Sequence, residues 1–137
     1  NIDSLYSYYK DYEESYVSTT ILEFENGAVG YFQLAGGIVD DWDEGLIVKG
    51  TAGSARAKIR FPYFKWRSEV EVYFKSINGY VRKLVPYRDM YLSELEHFIR
   101  CIIEDRLPEP NGYDGLRANK LIYAIHESAK LGKSVKL

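Results

Sequence analysis

The chain has little sulfur, little proline and no excess of positive charge. Its 137 residues include one cysteine, one methionine, four prolines and two histidines. A single thiol, Cys101, makes neither an internal disulfide nor a zinc cluster. Lys+Arg is 18 against Asp+Glu at 20, a formal charge of −2. Nucleic-acid domains usually carry a basic excess, so that class of partner is not expected. No apolar run approaches the ~20 residues of a membrane span, and no signal peptide is visible. What is present is ordinary globular material, 46% apolar and 28% charged. The length fits one domain, so a single soluble, cytoplasmic domain over residues 1–137 is the expectation. The first residue is Asn1 rather than Met, which fits a processed or trimmed chain. Aromatic residues are the one surplus. The 13 tyrosines imply a large amphipathic surface, because tyrosine has an apolar body and a wettable tip.

The order of patterns sets the fold class. Residues 1–15 are polar and aromatic without a helical stripe, and read as an extended lead-in. Tyr16 to Glu25 is rich in β-branched and aromatic residues, as is Ala28 to Leu34, and Asn26-Gly27 between them signals a hairpin with a type I′ turn. Leu46 to Lys49 and Ser54 to Arg60 form a second pair across Gly50–Gly53. Phe61-Pro62 ends that pair. Ser68 to Ser76 and Tyr80 to Val85 form a third across Asn78-Gly79, ended by Pro86. The period then changes. Tyr91, Leu92, Leu95, Phe98, Ile99, Ile102 and Ile103 make the stripe of an amphipathic helix over 88–105, with Asp89 as N-cap. A second helix is expected from about Gly115 to Leu131, capped by Asp114 and closed by Gly132. Its stripe is Leu116, Leu121, Ile122, Ile125 and Ala129. Ser134 to Leu137 reads as a last short strand. Strands first and helices last give an α+β domain: a mostly antiparallel sheet built from hairpins, with two C-terminal helices packed on one face. The other face is then open, and the aromatic content points to a partner that covers it.

Motifs that could carry chemistry are few. Glu94 and His97 have E-x-x-H spacing, but a di-iron site needs two such motifs and two further Glu on four helices. A structural His97, hydrogen-bonded at a helix–sheet seam, is the preferred reading. His126 lies beside the second helix's stripe, and neither histidine has a Cys or second His at metal spacing. No G-x-S-x-G elbow marks a nucleophile. Gly50-Thr51-Ala52-Gly53-Ser54 joins two strands, so it lacks the helix N-terminus of a dinucleotide or P-loop site. Asp40, Asp41, Asp43 and Glu44 surround Trp42. Carboxylates accept hydroxyl hydrogen bonds and an indole can stack on a sugar face, although an acidic loop is also simply well solvated. The spacing is not that of a calcium loop.

The text from Tyr91-Leu-Ser-Glu-Leu-Glu-His-Phe-Ile-Arg to Glu104, then Asp114-Gly-Leu-Arg-Ala, Ala124-Ile-His-Glu-Ser-Ala129 and Gly132-Lys-Ser-Val135, resembles the C-terminal domain of the glucose–fructose oxidoreductase/inositol dehydrogenase (Gfo/Idh/MocA) family. Phe24-Glu-Asn-Gly-Ala-Val-Gly30 and Val48-Lys-Gly-Thr-Ala-Gly-Ser54 are similar to that domain's hairpins, in the same order. The resemblance implies a C-terminal portion of an NAD- or NADP-dependent dehydrogenase acting on a sugar, cyclitol or related polyol. It implies an N-terminal Rossmann domain that binds the cofactor, a Glu-Lys-Pro lysine there, and an Asp-x-x-x-His helix. This chain has none of these three motifs: Ser93 stands four residues before His97, and Ile122 before His126. No catalytic, cofactor or metal residue is therefore expected in this chain, nor a cofactor bound to it. The resemblance gives it one wall of the substrate cleft and an open sheet face for homo-oligomerisation. Asp40 and Trp42, just before the G-x-x-G hairpin, are the expected substrate contacts. Two other readings stand beside this one. The chain could be a non-catalytic dimerisation or ligand-binding module, or an independent enzyme using Glu94, His97 or the acidic loop.

Overall fold

The computed structural model describes residues 1–37, 44–59, 68–84 and 88–137. Asp40, Trp42 and the neighbouring Asp41 and Asp43 lie outside the described residues, as do Arg60, Phe61-Pro62, Val85 and Pro86. The described elements are eight strands, two α-helices and one 3₁₀ turn, an α+β architecture of mostly antiparallel sheet built from hairpins. They fall into two compact units. One comprises Asn1–Val39 with Glu109–Leu137, and the other Asp40–Pro108.

The first unit holds strands β1 (Ile2–Asp11), β2 (Tyr16–Phe24), β3 (Val29–Gly36) and β8 (Val135–Lys136), with helix α2 (Gly112–Leu131). Its sheet runs β3-β2-β1-β8, every pairing antiparallel. The expected extended lead-in is therefore a ten-residue central strand. Leu5 of β1 stands opposite Leu22 of β2 and Val135 of β8, and Ser7 stands opposite Thr20. These residues share the face that meets α2, because alternate residues of a strand share a face. Leu5 is 1% exposed, and Ser7, Thr20 and Ser128 are equally buried.

This core is small and polar, and its hydrogen bonds are closed by side chains. Strand β8 pairs with only Ser4 and Leu5 of β1. Beyond it, serine side chains extend the ladder. The Ser7 backbone N–H donates to Ser128 Oγ at 2.9 Å, and Ser134 Oγ donates to the Leu5 carbonyl at 3.1 Å. Ser128 Oγ in turn donates to the Lys133 carbonyl at 2.7 Å. Ser7 and Thr20 hydroxyls pair across the strands at 2.9 Å. The hydroxyls of Ser7, Thr20, Ser128 and Ser134 thus find the partners that burial demands, whereas Ser18 Oγ, buried beside them on β2, has none among the described residues.

Helix α2 begins three residues before the expected start. Asn111, not Asp114, is the N-cap. Its side chain accepts from the Tyr113 N–H, while the Asp114 carboxylate reaches back to the Asn111 N–H at 2.9 Å, forming a capping box. Gly132 closes the helix in the left-handed region at φ 62°, which favours glycine. The buried face also differs from the expected stripe. Ala124 and Ser128 are buried, with Leu121 and Ile125 half-buried, whereas Leu116 and Ile122 are exposed. Small residues one turn apart let the helix backbone approach β1 closely.

The second unit holds β4 (Glu44–Lys49), β5 (Gly53–Ile59), β6 (Glu69–Phe74), β7 (Gly79–Leu84) and α1 (Met90–Ile103). Its sheet is an antiparallel meander in chain order. Asp89 caps α1 by accepting from the Leu92 N–H at 3.0 Å. Both Asn-Gly signals lie at hairpins, but neither turn is type I′. At the first, only Gly27 has positive φ (80°), and Asn26 Oδ1 accepts from the Ala28 N–H. Paired Gly27→Phe24 and Phe24→Ala28 backbone bonds make it a three-residue loop with a glycine bulge. At the second, a 3₁₀ turn over Lys75–Ile77 precedes Asn78, which takes the left-handed conformation itself at φ 47°. Asparagine tolerates that region because its short amide bonds locally, and here Asn78 Oδ1 accepts from the Tyr73 hydroxyl at 2.6 Å.

Candidate functional site

Three surfaces gather the residue types that bind or react. The first is the face of the β3-β2-β1-β8 sheet turned away from α2. Register places Tyr6, Ile21 and Tyr31 side by side across three strands, with Tyr8, Thr19 and Gln33 in the next row. Tyr6 is 43% exposed and Tyr31 76%. Val29 lies on the same face opposite Glu23. Single exposed apolar residues need no explanation, but a contiguous row of tyrosine, isoleucine and tyrosine has the amphipathic make-up of an interface.

The second surface is the polar face of the meander. Ile47, Arg56, Glu71 and Arg82 form one row across β4 to β7, and Lys49, Ser54, Tyr73 and Tyr80 the next. Glu71 receives Arg82 on one oxygen, at 2.9 Å from Nη2, and Arg56 on the other, at 2.6 Å from Nε. The Arg56 guanidinium also lies 5.2 Å from the centre of the Tyr80 ring, which packs against Tyr73. Hydrogen bonds from Arg82 and then Arg56 hold the Glu71 carboxyl below its ordinary range, and Glu71 raises Arg82 in return. The sign follows from linkage. A depressed carboxylate stabilises the fold above its unfolded pKa of about 4.3, and that contribution is lost as pH falls through the folded value. Glu71→Gln should therefore lower the melting temperature at pH 7. It should also flatten its decline below about pH 4.5, as read from thermal melts between pH 7 and 3. A parallel decline in variant and wild type would contradict this role for the two arginines.

The third surface is the polar side of α1. Arg88, Ser93, Glu96, His97 and Arg100 line an open groove of about 160 Å³, with Arg88 ion-paired to Glu96. His97 Nε2 lies 3.5 Å from Cys101 Sγ, one turn further along the same helix. Cys101 is 1% exposed, so its sulfur is closed to substrate. Arg106 bonds Glu104 at 2.6 Å and pulls that carboxyl down. Among the described residues no group of three His, Cys, Asp or Glu side chains is close enough to hold a metal ion.

The described residues also do not fit a dinucleotide. Gly50 and Gly53 turn β4 into antiparallel β5, with Gly50 donating to the Gly53 carbonyl at 2.8 Å. Both helix N-termini are capped by their own chain, by Asp89 and by the Asn111–Asp114 box. No described glycine turn opens a helix toward a phosphate. Asp40 and Trp42, the expected substrate contacts, lie outside the described residues, and Glu44 beside them begins β4.

An α+β domain with hairpin sheets, two capped C-terminal helices and a closing strand is what remains. Residues 5–137 match the family described as "Oxidoreductase family, C-terminal alpha/beta domain", the Gfo/Idh/MocA family, and the chain belongs to it. The uncharacterized oxidoreductase YrbE of Bacillus subtilis is 31% identical over 123 residues, which are 85% of this chain and 34% of that protein. The aldose-aldose oxidoreductase of Caulobacter crescentus, crystallised with glycerol, shares the fold at a TM-score of 0.81 and 18% identity, over 100% of this chain and 42% of its own. An oxidoreductase of Desulfitobacterium hafniense assigned as NADPH-dependent shares it at a TM-score of 0.83 and 19% identity, over 98% and 42%. The chain thus spans about a third to two-fifths of the length of these relatives.

Proposed function

We propose that this chain is the C-terminal part of a nicotinamide-dependent oxidoreductase acting on a sugar, cyclitol or related polyol. The observation that carries the reading is the family match over residues 5–137, with relatives that extend well beyond it. Cofactor binding, with NAD or NADP, and the catalytic groups belong to an N-terminal Rossmann domain. This chain supplies a wall of the substrate cleft, with Asp40 and Trp42 as hydroxyl-binding and ring-stacking contacts. That role fits their chemistry, since carboxylates accept from sugar hydroxyls and indole faces pack on C–H surfaces. The glycerol in the Caulobacter relative is a small polyol and agrees in kind. A soluble, cytoplasmic setting is part of the reading. No helix among the described residues is long and apolar enough to cross a membrane.

The test is turnover by the full gene product. Reduction of NAD or NADP with a panel of aldoses and cyclitols should show activity, and Asp40→Asn or Trp42→Ala should raise KM for the best substrate. Unchanged KM in both variants would remove these residues from the site.

The tyrosine-rich sheet face is the proposed subunit interface. A charge placed in its middle row would have to be desolvated on association. Ile21→Glu should shift the full-length protein from oligomer to monomer in light-scattering chromatography, with its melting temperature changed little. An unchanged oligomer would exclude this face.

A further inference from the structure

Three of the five asparagines precede a glycine: Asn26-Gly27, Asn78-Gly79 and Asn111-Gly112. Asparagine is a thermolabile residue, and its decay runs through the next main-chain nitrogen. That nitrogen gives up its proton, attacks Cγ and expels Nδ2 as ammonia, which leaves a five-membered imide. A glycine in second place removes the side chain that would hinder the approach. Closure also needs the attacking nitrogen to eclipse Cβ, which tetrahedral geometry at Cα places at an asparagine ψ of about −120°.

The backbone separates the three sites. The Gly27 N–H donates to the Phe24 carbonyl at 2.8 Å, a hairpin bond that holds both its proton and its orientation. Asn78 stands at φ 47° and ψ 44°, which turns the Gly79 nitrogen anti to the Asn78 side chain. The Asn78 amide is also held, by the Tyr73 hydroxyl. Asn111 is extended, at φ −130° and ψ −175°, a modest rotation from closure. Gly112 is the first residue of α2, so its N–H has no acceptor within the helix. It has none elsewhere among the described residues. A Cβ at Gly112 would meet nothing within 4 Å, so the approach is unobstructed. The carbonyl under attack is already polarised, because Asn111 Oδ1 accepts from the Tyr113 N–H at 2.9 Å. Charge that builds on this oxygen lies at the positive end of the helix, where it is stabilised.

We propose that Asn111 is a modification site built into the start of α2, the first of the three to convert through an imide with Gly112. The Gly112 N–Cγ bond forms and the Cγ–Nδ2 bond breaks. Water then opens the imide at either carbonyl. Opening at Cγ gives aspartate, which still caps the helix. Opening at the main-chain carbonyl gives isoaspartate, which routes the backbone through the side chain and dismantles the capping box. This chemistry needs only water and does not depend on the enzymatic reading above.

The test is incubation of the full gene product in mildly alkaline buffer, with peptide mass mapping of amide-to-acid conversion at each site. Asn111 should convert at least tenfold faster than Asn26 and Asn78. In urea the three should convert at similar rates, because the backbone no longer tells them apart. Earlier conversion of Asn26 or Asn78 in the folded protein would overturn the proposal. So would an equal lead of Asn111 in urea, since the lead would then belong to neighbouring sequence and not to the fold. Gly112→Pro supplies the second arm. Proline is welcome at the first helical position, and the extended Asn111 suits the residue before it. The variant removes the attacking N–H, and conversion at Asn111 should fall at least tenfold with the circular dichroism spectrum unchanged. Conversion at the wild-type rate would overturn the imide route.

Discussion

Leu5→Ala is expected to cost about 2–5 kcal/mol, the range for truncating a buried leucine. Leu5 is 1% exposed on the central strand, facing Leu22 on one side and Val135 on the other. Three strands would lose packing at once. The other buried side chains of this unit are mostly hydroxyls, which cannot refill an apolar cavity. A protein of this size holds on the order of 5–15 kcal/mol in all, so the loss is a large share. Urea titration should show a lower midpoint with an unchanged slope. Tyr31→Ala, at an exposed site, should stay within about 0.5 kcal/mol. A Leu5→Ala cost below about 1 kcal/mol would mean that the seam collapses to fill the cavity.

Ser128→Ala is the second large effect, for a different reason. The substitution keeps the volume nearly constant and slightly favours the helix. It removes the hydroxyl that accepts from the Ser7 N–H and donates to the Lys133 carbonyl. A donor and an acceptor then lose their partner, the donor in a site closed to water. A buried unsatisfied group costs about 1–3 kcal/mol, so a loss of roughly 2–4 kcal/mol is expected. The Ser7 amide should exchange its hydrogen faster than its neighbours in β1, a local signature that a general packing loss would not give. Ser7→Ala should cost less, because it removes only the Thr20 contact and leaves the backbone bond in place. Equal costs for the two variants would contradict this assignment of the seam.

These two residues also show where the sequence was hard to read. Strands with apolar or β-branched alternation announced themselves, and Asn26-Gly27 and Asn78-Gly79 marked true chain reversals. The turn types differed because a glycine bulge or a 3₁₀ turn satisfies the same reversal with one positive φ instead of two. Strand β1 gave no such signal. Its inward row is Leu5, Ser7 and Tyr9, while its outward row carries Tyr6 and Tyr8, so the usual contrast between faces is inverted. Only the partners Thr20 and Ser128, distant in sequence, make a serine there a core residue. Helix α2 was legible as a helix, but its contact face was not. Ala124 and Ser128 pack because they are small, a property that a hydrophobic stripe does not register. The family could be read from motif order in the C-terminal third. The acidic segment around Trp42 offered chemistry without geometry, and so its role rests on residue type alone.

On the proposed reading this chain is one part of a dinucleotide-dependent enzyme and does not bind the dinucleotide itself. The most direct measurement is a fluorescence titration of NADH and NADPH against the full gene product and against residues 1–137 alone. Saturable binding by the full product and none by residues 1–137 is the predicted result. Tight binding by residues 1–137, or none by the full product, would contradict the account.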